Sequence, residues 1–158
     1  ILMRLIPHAP NFTPVAAIAL FGGTYLNKRY ALIIPLALMM ISDLFIGIHD
    51  VILFTWSGFI LIALLGLWVK KERNLARITI ASLSSSLAFF VISNFGVWIM
   101  GWYPRTLNGL INCYVMAIPF LRNFTWATLL YTAVFFGVYE LIARLVKDTK
   151  LSKVLLTN

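Results

Sequence analysis

Long apolar runs separated by short polar breaks dominate this chain. Residues 30–47, 51–69, 78–100 and 124–146 are each close to the roughly 20 residues that a helix needs to cross a bilayer. A shorter apolar run, 14–26, rises only about 20 Å as a helix, so it crosses only if tilted or extended. Pro7, Pro10 and Pro14 keep its approach out of helix, and Thr13 or Asn11 is placed to cap it. Within 30–47, Pro35 is a candidate kink, and Asp50 stands where it can cap 51–69. The most polar stretch is Lys70-Lys71-Glu72-Arg73-Asn74. A helix over about 75–100 follows, with Ser82, Ser84, Ser85 and Ser86 in its first half and Trp98, Trp102 and Tyr103 as an interfacial belt at its end.

Charge adds an orientation. Ten of the thirteen Lys and Arg residues fall at 28–29, 70–77 and 144–153, and only Arg4, Arg105 and Arg122 lie elsewhere. Cationic loops resist translocation, so the three clusters are expected to share the cytoplasmic side, with the other three cations and both histidines outside. The same argument decides segment 107–121, which Asn108, Gly109, Asn112 and Pro119 interrupt. If it crosses, the cations divide seven against six, and if it does not, ten against three. The expectation is a re-entrant or interfacial helix on the outer side. Asn11-Phe12-Thr13 and Asn123-Phe124-Thr125 then each open a helix that runs inward, as either a weak internal repeat or a shared capping preference.

Composition closes off other classes. A mean hydropathy of +0.93 with 11% charged residues is too apolar for a soluble domain of 158 residues. The net charge of +8 has no basic face or recognition motif to make it a nucleic-acid surface. Lone Cys113 has no internal disulfide partner, and no Cys/His spacing suggests a metal site. Phosphate-binding loops, nucleophile–base pairs and intramembrane protease motifs are absent, so neither an ATPase nor another enzyme is expected, and no cofactor is implied. The first seven residues read like the tail of a hydrophobic segment, and a further helix is expected upstream.

The polar residues within or beside the spans are the candidate chemistry. Asp43 is a carboxylate in an apolar helix, which faces either a ligand cavity or a structural partner. Glu140, four residues before Arg144, suits an intrahelical ion contact. Asn94 beside Trp98 should point into the bundle, where it binds a solute or another helix. Trp56, Trp98, Trp102, Tyr103 and Tyr114 either line a pocket or form a headgroup belt, and Arg105 and Arg122 either attract an anion or anchor loops. His8 and His49 are outer-loop residues suited to interfacial hydrogen bonds, and Ala19-x-x-x-Gly23 and Ser82-x-x-x-Ser86 permit close helix approach.

A resemblance covers nearly the whole chain. Arg4-Leu5-Ile6-Pro7-His8-Ala9-Pro10-Asn11-Phe12-Thr13-Pro14-Val15-Ala16-Ala17, Leu20-Phe21-Gly22-Gly23, Ser42-Asp43, Asn94-Phe95-Gly96-Val97-Trp98, Tyr103-Pro104-Arg105-Thr106 with Gly109, Cys113-Tyr114, Pro119-Phe120 and Arg122-Asn123 resemble a family of small bacterial membrane proteins described as candidate transport proteins. That family is similar in size and hydropathy to the substrate-binding (S) components of energy-coupling factor transporters. The resemblance implies six crossings with the upstream helix restored, and a vitamin or similar solute bound from outside. It also implies an ATPase pair and a scaffold subunit as energising partners.

The expectation is therefore an all-α integral membrane protein of one domain, 1–158. It comprises about five transmembrane helices plus one outer re-entrant or interfacial helix, in the bacterial plasma (inner) membrane with its C-terminus cytoplasmic. Its function is expected to be capture of a small solute, with Asp43, Asn94, Trp98, Tyr103, Arg105, Asn112, Tyr114 and Arg122 as candidate binding residues. The alternative is a non-catalytic accessory subunit of a larger membrane complex, whose interior should be filled and whose flank should be buried on partners.

Overall fold

The computed structural model describes Arg4 and residues 9–147. These residues form five α-helices and no strand: α1 (Val15–Tyr25), α2 (Lys28–Ile46), α3 (Ile52–Lys70), α4 (Leu75–Ile99) and α5 (Leu107–Val146). Helices α2 to α5 are each long and apolar enough to cross a membrane. Large apolar side chains such as Leu44, Phe45, Leu53, Leu87 and Trp126 remain exposed on them, as suits a multi-pass membrane protein whose outer surface meets lipid.

Helix α1 is the centre of the bundle. At 11 residues it is only about 17 Å long, so it is not one of the span-length helices. Nine of its residues are buried, and it packs against all four others. The residues of α1 dictate this placement: apolar or small on every side, they give no polar face to turn outward. Its closest neighbour is α3. A Cβ on Gly23 would lie 2.3 Å from the Ala63 carbonyl oxygen, and one on Gly66 would lie 2.4 Å from that of Leu20. The two backbones therefore touch, and Thr24 Oγ1 donates across the contact to Gly66 O at 3.2 Å.

The basic clusters gather at one end. Lys70 Nζ donates to Leu26 O at 3.0 Å, the Arg73 guanidinium lies 4.8 Å over the Tyr25 ring, and Tyr25 Oη donates to Glu140 at 3.1 Å. The ends of α1 and α3 and the last turns of α5 thus meet beside Lys28, Arg29, Arg77, Arg144 and Lys147. Glu140 bonds Tyr25 rather than pairing with Arg144. Lys150, Lys153 and His8 lie outside the described residues.

The expected break at 107–121 is absent. Helix α5 runs unbroken for 40 residues, about 60 Å, antiparallel to α4. Thr106 caps it, accepting from Gly109 N at 3.1 Å. Buried Gly109, Cys113, Ala117, Phe124, Ala127, Thr128, Thr132 and Phe136 recur at helical spacing from one end of it to the other. That stripe stays in phase across Pro119, whose exposed position costs one backbone bond without interrupting the packing. A five-crossing layout with a re-entrant helix is thereby corrected to four span-length helices around a short central one. Asn123 lies in mid-helix and donates to Pro10 O at 3.2 Å, so the suggested repeat has no structural counterpart.

Two expected caps also differ. Pro14 occupies the N-cap of α1 with no side-chain bond, while Asn11 adopts φ 61° in a turn closed by Phe12 N donating to Ala9 O at 3.0 Å. Val51, not Asp50, is the N-cap of α3.

Candidate functional site

At the end away from the basic clusters the bundle opens into a cavity of about 540 Å³. Every long helix contributes to it: Met39 and Ile46 from α2, Thr55 and Phe59 from α3, Phe89, Ser93, Asn94 and Val97 from α4, and Cys113, Met116, Ala117, Phe120 and Phe124 from α5. Val15, Thr13 and Asn11 close it on the side of α1, and His49, Trp102 and Tyr103 stand on the loops at its mouth. The floor is aromatic. Phe89 stacks on Phe124 with centroids 4.6 Å apart and meets Phe59 at 5.0 Å. Gly58 makes room for Phe89, since a Cβ there would lie 2.8 Å from the ring.

Polar atoms on the walls are held in place by their own helices. Ser93 Oγ donates to Phe89 O at 2.7 Å and Asn94 Nδ2 to Phe90 O at 2.8 Å. Cys113 Sγ donates to Asn94 O at 3.4 Å and ties α5 to the same level.

Among the described residues the one cation on the wall is Arg4, and it is not free. Its Nη2 lies 2.8 Å from Asp43 Oδ1, its Nη1 contacts Met39 Sδ at 3.3 Å, and it also bonds Ser42 Oγ. Asp43 is 2% exposed, and its second oxygen accepts from Trp56 Nε1 at 2.8 Å. The Oδ1 contact is one of charge rather than an aligned hydrogen bond. Asp43 thus stands behind Arg4, balances it, and does not itself line the cavity. Both Asp43 oxygens are engaged by residues other than His49. Among the described residues no carboxylate lines the cavity, and no cluster of three His, Cys, Asp or Glu side chains is placed to hold a metal.

The sequence-selected residues divide into groups. Asn94 and Tyr103 face the cavity. Trp98, Arg105 and Tyr114 brace the junction of α4 and α5: Trp98 Nε1 donates to Pro104 O at 3.1 Å, Arg105 Nη2 to Ile99 O at 2.9 Å, and Tyr114 Oη to Val91 O at 2.8 Å. Asn112 and Arg122 are exposed on α5, away from the lining. Among the described lining residues, the permanently charged one outside the sequence-selected set is Arg4. The signal was present, since a cation apart from the clusters and a carboxylate within a span each need a partner.

The chain matches the model of DUF6580, a family of unknown function, over residues 1–151, and it belongs to that family. No curated protein and no solved structure matches it. The match extends to the family alone and carries no likeness to energy-coupling factor S components.

Proposed function

We propose that this DUF6580 protein captures a small solute from the outer face of the bacterial plasma membrane, with its basic end and C-terminus cytoplasmic. The observation that carries the reading is the cavity. Its volume of about 540 Å³ falls within the roughly 300–1,000 Å³ of small-molecule sites, whereas an accessory subunit would be expected to fill its interior. The lining argues for the solute's chemistry. Phe, Met and Val side chains favour an apolar body, Asn94, Ser93 and Tyr103 offer hydrogen bonds near the mouth, and a wall with a balanced cation and, among the described residues, no carboxylate favours a neutral or anionic molecule. With no phosphate-binding loop in the chain, any active uptake would draw its energy from partner subunits.

The experiment is one-sided labelling. In a Cys113→Ala background, Asn94→Cys should react with a membrane-impermeant maleimide in intact cells, and Ala117→Phe, which fills the cavity, should suppress the reaction. Protection in native membranes that disappears on detergent extraction would mean that a partner covers this face, and would favour the accessory subunit instead.

A further inference from the structure

Directly beneath the aromatic floor the interior turns polar again. Ser82, Ser85 and Ser86 on α4 and Thr128 and Thr132 on α5 are all buried, none more than 2% exposed. Phe89 and Phe124 are stacked, which fixes how the two helices face each other. Ser85 lies one turn below Phe89, and Thr128 lies one turn beyond Phe124 on the antiparallel neighbour. Ser82 and Thr132 follow at the next turn on each, so the hydroxyls form a layer two turns deep between α4 and α5, with Ser85 and Thr132 on successive turns.

Most of these hydroxyls bond within their own helices. Ser82 donates to Ile78 O at 2.9 Å, Ser86 to Ser82 O at 3.2 Å and Thr128 to Phe124 O at 2.7 Å. Ser85 Oγ and Thr132 Oγ1 differ: both are enclosed and neither has a hydrogen-bond partner. A buried hydroxyl without a partner is costly, and two on successive turns of an apolar bundle each call for a guest that can bond them. Water is the guest of the right size and valence, because it can donate to or accept from each hydroxyl.

We infer that this hydroxyl layer is a water-binding site, separated from the solute cavity by a septum made of Phe59, Phe89 and Phe124. The inference rests on the cavity reading for what lies above the septum. It adds a second polar station on the line that leads from the cavity toward the basic end. Rotation of the stacked rings would join the two compartments. While the rings are stacked, the cavity is a blind pocket.

Silver ion, about as small as the guest, tests this in the full-length protein in lipid nanodiscs. Single cysteines are placed at Ser85, at Ala81 (buried and apolar) and at Asn94 in a Cys113→Ala background, and thiols left unreacted by a silver pulse are counted after denaturation. With the septum intact, Asn94→Cys should react and Ser85→Cys should be at least tenfold slower. Adding Phe124→Ala should raise the Ser85→Cys rate at least tenfold while Ala81→Cys stays inert. Phe124→Leu, which retains most of the apolar bulk, should give an intermediate rate if the alanine variant proves unstable. Ser85→Cys inert in every background would overturn the hydrated layer. Its reaction at the Asn94→Cys rate with the septum intact would overturn the septum, and an equal gain at Ala81→Cys would show general loosening and overturn both. An inert Asn94→Cys would instead remove the cavity reading itself.

Discussion

Asp43→Asn removes one charge from a pair that is almost fully sheltered, and the structure sets the size of the effect. Asp43 is 2% exposed and its partner Arg4 has 16% of its side chain exposed, so the guanidinium left behind can regain only part of its hydration. Breaking a buried pair at one side costs about 3–5 kcal/mol. The introduced amide can still accept from Trp56 Nε1, which holds the loss toward the lower limit, about 3 kcal/mol. At about 2–4 °C per kcal/mol for a chain of this size, the melting temperature should fall by about 6–12 °C. The assay is intrinsic tryptophan fluorescence of the detergent-purified protein during heating, with Trp56 adjoining the altered site. Arg4→Met should cost a similar amount, and the double variant should cost about 2 kcal/mol less than the sum of the two single changes, because neither charge is then stranded. A melting temperature within 1 °C of wild type for Asp43→Asn, or strict additivity in the double variant, would refute the structural role assigned to this pair.

Other consequences follow from the packing. Gly66→Ala should destabilise by about 3 kcal/mol or more, because its Cβ would lie 2.4 Å from Leu20 O and 2.7 Å from the Gly23 Cα. Gly137→Ala, with nothing within 4 Å, should be neutral or stabilising by up to about 1 kcal/mol; chemical unfolding of both variants in one detergent makes the comparison. Tyr25→Phe should cost about 1 kcal/mol through loss of the bond to Glu140 at 3.1 Å, and a Glu140→Gln variant should lose little more when combined with it. Cysteines at Lys28, Lys71 and Lys147 should all resist a membrane-impermeant thiol reagent in intact cells, while one at Arg105 reacts. Labelling at Lys147 with protection at Lys28 would contradict the shared basic end.

The sequence pattern located α2, α3 and α4 to within a few residues, because each is an unbroken apolar run bounded by charged or turn-forming residues. It also anticipated that the basic clusters meet at one end, since charge placement follows a rule that needs no tertiary contact. Helix α5 was harder to read. Asn108, Asn112 and Pro119 are local signals for a break, and only the buried stripe of Gly109, Cys113, Ala117 and Phe124 against α4 shows why the helix persists. The central place of α1 was likewise hidden, because small residues such as Gly23 matter through the backbone they let approach. At the cavity, Asn94 and Tyr103 were legible as polar and aromatic groups near one end of the bundle. Trp98 and Tyr114 were equally plausible on composition, but helix phase turns them onto neighbouring carbonyls. The pairing of Arg4 with Asp43 spans 39 positions, and no local pattern joins residues so far apart.

The central claim is that the cavity holds a small solute, and native mass spectrometry tests it most directly. Protein extracted gently from its own membranes should carry a small-molecule adduct at one copy per chain, released on mild activation. Ala117→Phe should lose that adduct while keeping its fold by circular dichroism. A wild-type chain without any adduct across gentle detergents, or an adduct that persists undiminished in Ala117→Phe, would contradict the account.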